Sequence, residues 1–272
     1  MPQANQLPLF VSIPHAGEVV PKEVSWLQNL PETILMRDVD RYVDKLYKPI
    51  LDKFKIPSVV ATHNRYVVDL NRKADEYDAS SVVGATHPKG VHPKGLHWSV
   101  TTHNEVLIPK PMSPELHQTL VKNYYQPFHD SVHEMGGKIL EHHQKVFHMD
   151  LHSMPSLGTD MHPDPGQTRA EVVISDFHGT SCTRDFRNAV LNAFQAAEFE
   201  VAYNWPYIGG GITKMYGRPD QGWSTIQIEL NRDLYMNEET KEIILGKSQA
   251  LQLRLDKTFT ILIAKLQEIV SG

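Results

Sequence analysis

Apolar residues recur along this chain in two periods, and their alternation predicts most of the elements. Leu9 to Ile13 is a short apolar run stopped by Pro14, the pattern of a buried strand feeding a loop. From Glu32 to Phe54 the positions Leu35, Val39, Val43, Leu46, Ile50 and Leu51 recur at helical spacing. Ile56 to Ala61 reads as a second strand and Arg65 to Leu70 as a third. Ser113 is a natural N-cap for a helix running to about Lys145, with a kink expected near Pro127. Val146 to Leu151, Val172 to Ser175 and Val201 to Trp205 are further strands, and Thr183 to Phe199 is a helix. Residues 223 to 230 alternate, with Ile226, Ile228 and Leu230 on one face and Thr225, Gln227 and Glu229 on the other. Leu251, Leu255, Phe259, Leu262, Leu266 and Ile269 form one stripe of a helix from Lys247 to Val270, whose task is packing.

Strands alternating with helices predict an α/β fold with a mostly parallel sheet covered on both faces. Ligand sites in such sheets gather at the carboxyl ends of strands. His15, Asn71-Arg72, His152 and His178 all fall at expected strand ends. Residues 73 to 112 break the pattern. They are polar, rich in Gly, Pro and His, and carry the doublet His87-Pro88-Lys89-Gly90 and His92-Pro93-Lys94-Gly95. A long irregular stretch of this kind inside a compact domain is usually a functional loop or lid. No composition break marks a boundary, so residues 1–272 are expected to form a single domain.

Charge and composition narrow the function classes. A formal net charge of −5 provides no basic surface for nucleic acid, and no apolar run approaches membrane-spanning length. Residues Met1 to Leu9 lack the basic and apolar regions of a signal peptide. Cys182 is the single cysteine, so no internal disulfide can form and a reducing, cytoplasmic setting is expected. Fifteen histidines favour metal chemistry.

Four segments carry the candidate chemistry. Pro14-His15-Ala16-Gly17-Glu18 provides His15 and Glu18 at three-residue spacing, and Asp150-Leu151-His152-Ser153 provides His152. Three such ligands leave one coordination position open, as a catalytic Zn2+ requires. Asp69-Leu70-Asn71-Arg72 offers a planar guanidinium and an amide to a substrate carboxylate. Asp69, on the same segment, is suited to accept the second ring N–H of a ligand histidine. Glu229, between apolar neighbours, is the expected general base. Each segment alone is more often structural; their combination is what points to a site. A rival metal pair, His129 and His133, sits four apart on the long helix, but Asp130 stands where a zinc-protease helix has Glu. Tyr216 and Arg218 lie in a Gly-rich segment expected to close over substrate. His178 joins Arg37 and Arg41 as a candidate partner for a developing oxyanion. Cys182 reads as a buried thiol.

These segments together resemble the N-formylglutamate amidohydrolase family over nearly the whole length. The resemblance rests on Ser12-Ile13-Pro14-His15-Ala16-Gly17-Glu18, Arg37-Asp38-Val39-Asp40, Val68-Asp69-Leu70-Asn71-Arg72 and Asp150-Leu151-His152-Ser153-Met154-Pro155. It continues through Asp176-Phe177-His178-Gly179-Thr180-Ser181-Cys182, Pro206-Tyr207-Ile208-Gly209-Gly210 and Gln227-Ile228-Glu229-Leu230-Asn231-Arg232. It implies a three-layer α/β sandwich with a mixed sheet, like that of the zinc exopeptidases. It also implies zinc on His15, Glu18 and His152, Asp69 orienting His15, and Asn71 and Arg72 on the substrate α-carboxylate. Glu229 would serve as base and then acid. The family hydrolyses N-formyl-L-glutamate to formate and L-glutamate, the last step of one route of histidine degradation. The chain departs from the family pattern at Ala16, at Phe177 and in the loop from 84 to 103. The partner implied is a small N-acyl amino acid. The alternatives are a zinc amidase or carboxypeptidase acting on another N-acyl amino acid or a peptide, and a non-catalytic zinc-binding carboxylate receptor.

Overall fold

The structure, a computed structural model, describes residues 7–271. The leader expectation for the amino terminus lies mostly outside them. Among these residues six strands form one sheet: β1 (Leu9–Ile13), β2 (Ser58–Val60), β3 (Val146–Met154), β4 (Val172–Ser175), β5 (Val201–Tyr203) and β6 (Trp223–Asn231). Their order is β2-β1-β3-β6-β4-β5. The first four of these run parallel; β4 pairs antiparallel with β6 and parallel with β5, so the sheet is mixed but mostly parallel.

Among the described residues, eight α-helices accompany it: α1 (Ser25–Gln28), α2 (Glu32–Leu35), α3 (Val43–Phe54), α4 (Pro114–Leu120), α5 (Gln126–Leu140), α6 (Arg184–Ala196), α7 (Gly211–Tyr216) and α8 (Leu245–Ser271). On one face Leu9, Val11, Ile13, Phe147, Met149, Leu151, Ile226, Ile228 and Leu230 pack under α3, α6 and α8. The opposite face is apolar mainly at the amino ends of its strands, where Phe10, Val146 and Trp223 meet Phe128 and Val132 of α5 and Ile212 of α7. Three layers result. Towards the carboxyl ends that second face turns polar, with Ser12, His148, Asp150, His152, Thr225, Gln227 and Glu229 all buried. Period-two alternation therefore reads on one face as core and on the other as site.

Three elements differ from the periodicity. The expected helix over 32–54 is interrupted at 36–42, where Tyr42 has φ of 72°. Asp38 and Asp40 are drawn there into buried polar contacts that a helix would not permit. Residues 65–70 do not join the sheet; Asp69 N–H donates to Leu96 O, inside the long loop. The helix from Ser113, whose hydroxyl caps Leu116 N–H, does run to residue 140, with a π-helical turn over 121–125. Pro127 has no N–H to give to the preceding turn, which accounts for the widened turn before it.

The loop over 73–112 is built rather than loose. Val82, Trp98, Leu107, Ile108 and Met112 pack with Val24, Leu27, Tyr66 and Val67 into a separate apolar cluster beside the sheet. Among the described residues no helix is long and apolar enough to cross a membrane.

Much of the histidine content proves structural. His129 donates from Nε2 to Leu70 O (3.0 Å) and accepts the Tyr216 hydroxyl at Nδ1 (2.9 Å), which removes it as a metal ligand. His97 bonds Val67 O (3.2 Å) and His117 (2.9 Å). Burial pushes His129 down to about 4 and His97 down to about 3, the latter helped by His117. In the unfolded chain each titrates near 6.5. Their neutral burial thus contributes stability above that pH, and the contribution is lost as pH falls towards about 4. Each site adds a slope of about 1.4 kcal/mol per pH unit in that window. Urea midpoints measured from pH 7 to 4 should therefore fall steeply, and His129→Gln should remove about one site's share. An unaltered slope in that variant would show that His129 is already charged in the fold.

Candidate active site

A cavity of about 260 Å3 opens at the carboxyl ends of β1, β3 and β6. His15 follows β1 directly. Gly17, just after it, lies so close to the 62–63 backbone that a Cβ would sit 2.4 Å from Thr62 C. This close approach holds the turn that aims His15 inward. His152 projects from β3 on the polar face, and its Cα partner across the parallel ladder is Glu229 of β6. Strand geometry alone brings these two side chains side by side.

The third member of the cluster is Asp40, from the break between α2 and α3. His15, Asp40 and His152 offer ligand atoms within 4.8 Å of one another, and all three are buried. Asp40 Oδ2 lies 2.9 Å from His152 Nδ1 and 3.5 Å from His15 Nδ1. Each imidazole is held from behind. His15 donates from Nε2 to Asp69 Oδ1 (2.7 Å), and His152 Nε2 meets Asp150 Oδ2 (2.8 Å). Both Nδ1 atoms therefore face the same point as Asp40 Oδ2, and buried His15 Nδ1 has no hydrogen bond. Paired carboxylates fix ring orientation and raise ligand basicity in metal sites. Two imidazoles, one carboxylate and an orphaned ring nitrogen fit a divalent cation of the zinc type.

Asp69 is fully satisfied. Oδ1 accepts from His15 and from Asn71 N–H (2.8 Å), and Oδ2 accepts from Arg65 (2.7 Å) and the Trp98 indole (2.8 Å). Burial opposes its charge, but Arg65 and His15 outweigh burial and keep it well below the usual carboxylate range. Asp40 behaves alike through His15 and His152, and its other oxygen accepts from Arg232 (3.0 Å). His152 is held well above 6.5, because Asp150 and Asp40 overcome the cost of burial. Glu229 is the exception. Burial pushes it up to about 8, against the pull of His152. Its Oε1 accepts from Gln227 (2.8 Å).

Asn71 and Arg72 both line the cavity. Asn71 Oδ1 accepts from Ile212 N–H at the start of α7 (2.7 Å), and its amide packs on Gly210, where a Cβ would come within 2.0 Å of Nδ2. Arg72 donates from Nε to Lys94 O and from Nη1 to Asn71 O, both 2.9 Å.

Three expected site residues are not brought in. Glu18 turns to the surface, where Arg41 Nε donates to it at 2.8 Å, and Asp40 occupies the position expected of it. Asp40 N–H donates to His15 O (2.9 Å), so the break before α3 delivers a carboxylate to His15 at shorter reach. His178 has φ of 55° and is exposed, because the turn after β4 directs it outward. Tyr216 is half-buried and packs against the core: its hydroxyl binds His129 and its ring stacks on Trp223 at 5.3 Å. Arg37 and Arg41, the other oxyanion candidates, are engaged by Glu105 and by Glu18 and Glu32. Cys182 is a buried thiol, as expected, which burial and Asp176 push up.

Sequence reasoning missed Asp40, Arg232, Asp150 and Lys94 as site residues. Asp40 had two available signals: its place in the Arg37-Asp38-Val39-Asp40 segment that carries the family resemblance, and the Asp38-Val39-Asp40 alternation inside a helix-like run, where two acids flanking a core valine contradict a helical face.

The profile of the N-formylglutamate amidohydrolase family matches residues 7–236. N-formylglutamate deformylase of Pseudomonas aeruginosa is 26% identical over 241 residues, covering 86% of this chain and 84% of that one. The Pseudomonas putida enzyme of the same name is 28% identical over 246 residues, with the same coverage. The crystal structure of N-formylglutamate amidohydrolase from Ralstonia eutropha superposes with a TM-score of 0.82 at 26% identity, covering 100% of this chain and 96% of that chain. A profile match over most of the length and a shared architecture agree, and the chain belongs to the N-formylglutamate amidohydrolase family.

Proposed function

We propose that the protein is a zinc-dependent hydrolase that cleaves N-formyl-L-glutamate to formate and L-glutamate, the closing step of a cytoplasmic histidine-degradation route. The observation that carries this reading is the convergence of His15 Nδ1, His152 Nδ1 and Asp40 Oδ2 beside a buried glutamate. The names of the two Pseudomonas relatives and of the Ralstonia structure support the substrate.

His15, Asp40 and His152 would hold the metal, with Asp69 and Asp150 orienting the rings. Zinc, when bound, supplies a Lewis acid and lowers the pKa of water to about 7. Arg72 and the Asn71 amide hold the α-carboxylate and so turn binding into orientation. Glu229 takes the proton of the attacking water and passes it to the departing amine nitrogen. Its raised affinity for a proton, a consequence of burial, suits a group that must both accept and return one.

The test is formate release from N-formyl-L-glutamate before chelation, after chelation and after zinc is returned. Loss and recovery of formate support the reading; formate that persists in metal-free protein removes the zinc from it. A second reading, hydrolysis of a larger N-acyl amino acid or a peptide, is favoured by a neighbouring cavity of about 570 Å3 that shares Thr102, Pro155 and Arg232 with the first. Higher kcat/KM for an N-acetyl or dipeptide substrate than for the formyl compound would select it.

A further inference from the structure

Among the described residues, four Arg and Lys side chains line the cavity: Arg65, Arg72, Lys94 and Arg232. Two of them are neutralised within the protein. Arg65 gives one arm to Asp69 and the other to Asp38 O, and Arg232 spends its donors on Asp40, Ser153 and Arg37 O. Arg72 and Lys94 differ. Neither has a carboxylate partner among the described residues; Arg72 bonds two carbonyls, and the Lys94 ammonium bonds only Met161 O at 3.3 Å. An ammonium has three donors, so two remain for a ligand.

The two cations are also tied together, because Arg72 Nε donates to Lys94 O. The turn carrying Lys94 is fixed from both sides. A Cβ on Gly95 would come within 2.2 Å of Glu76 O, Leu96 N–H donates to Glu76 O (2.6 Å), and Ser99 N–H donates to Pro93 O (2.8 Å). The two copies of His-Pro-Lys-Gly diverge here: Lys89 of the first is exposed, while Lys94 of the second is half-buried against the cavity. Burial presses the Lys94 ammonium below its ordinary value against the opposing pull of Asp38, and Arg72 and Arg65 add to the lowering. Asp69 and Asp38 act on Arg72 and Lys94 electrostatically, but neither cation holds a carboxylate in direct hydrogen-bond contact, and two such positive groups on one cavity make a place for an anion.

We propose that Lys94 is the specificity-determining residue for a second carboxylate, binding the distal carboxylate of a dicarboxylic N-acyl amino acid while Arg72 binds the α-carboxylate. This rests on the hydrolase reading given above. A substrate bound at both points is fixed in one orientation, so its amide faces the metal cluster and Glu229.

The experiment uses the zinc-loaded full chain and two substrates of equal size, N-formyl-L-glutamate and N-formyl-L-glutamine. Lys94→Met should raise KM for the glutamate compound at least about tenfold, change kcat less than about threefold and leave the glutamine compound within about twofold. Lys94→Arg should retain the preference, which controls for a loop that fails to fold, and Lys89→Met should alter neither substrate. Equal losses on both substrates in Lys94→Met, or no loss on either, overturn the assignment. If the wild type hydrolyses neither compound, the formylglutamate reading has failed and calorimetry decides Lys94 alone. Glutarate binding at least about tenfold more tightly than butyrate, with the difference erased by Lys94→Met, supports it; a wild type that does not distinguish them overturns it.

Discussion

Glu229→Gln is expected to lower kcat by about 10²- to 10⁴-fold while zinc stays bound at one per chain. The glutamine keeps the shape of the side chain and can still accept the Gln227 amide now bonded to Glu229 Oε1. What it loses is a site that binds and releases a proton. Glu229 stands opposite His152 on the neighbouring strand, buried, with burial holding its proton to about 8. Among the described residues no other carboxylate on the cavity wall is uncommitted: Asp40 is engaged by His152 and Arg232, and Asp38 by Tyr66 and Thr102. Metal analysis and steady-state kinetics on the same preparation separate the two roles. Turnover within about tenfold of the wild type, with zinc retained, would remove Glu229 as the base. Loss of zinc would make it a ligand instead.

The second large effect distinguishes Asp40 from Glu18. Asp40→Asn should weaken zinc binding by more than the roughly 10- to 100-fold typical of groups that only orient a ligand, and turnover should fall with it. The same change removes the counter-charge of buried Arg232, so stability should drop by about 3–5 kcal/mol, as when one partner of a buried pair is lost. Glu18→Gln should do neither. Its carboxylate is 35% exposed and bound by Arg41, a pair of a kind that contributes at most about 1 kcal/mol. Zinc titration of both variants with a competing chelator reads the difference directly. Retained affinity in Asp40→Asn with loss in Glu18→Gln would restore the ligand set expected from the His-x-x-Glu spacing.

The strands were legible because burial on a sheet face leaves a period of two in the sequence. Ile226, Ile228 and Leu230 lie in the core, and the polar partners Thr225, Gln227 and Glu229 face the other way, as the alternation requires. The helix capped by Ser113 and the long final helix were legible for the same kind of reason, since caps and stripes are local chemistry. The strand expected at 65–70 was not. Its alternation is real, but its backbone bonds the 92–98 segment, which sequence spacing does not reveal. Similarly, the loop over 73–112 looked like a lid; its Val, Leu, Ile and Trp residues are too far apart in sequence to announce the cluster they form.

The α/β layering and the family were legible in the sequence by itself, and His15, His152, Asn71, Arg72 and Glu229, singled out there, all line one cavity. Only the tertiary structure decided which carboxylate completes the cluster and which cations remain for substrate. Glu18 is nearest to His15 in sequence, yet a neighbouring Arg41 compensates it at the surface. Asp40 lies 25 residues from His15, and a broken helix brings it within 3.5 Å. Arg65 and Arg232 are consumed by Asp69 and Asp40, which leaves Arg72 and Lys94. Ligand and charge partners are chosen by distance and desolvation after folding, and those quantities are set by packing between elements rather than by spacing along the chain.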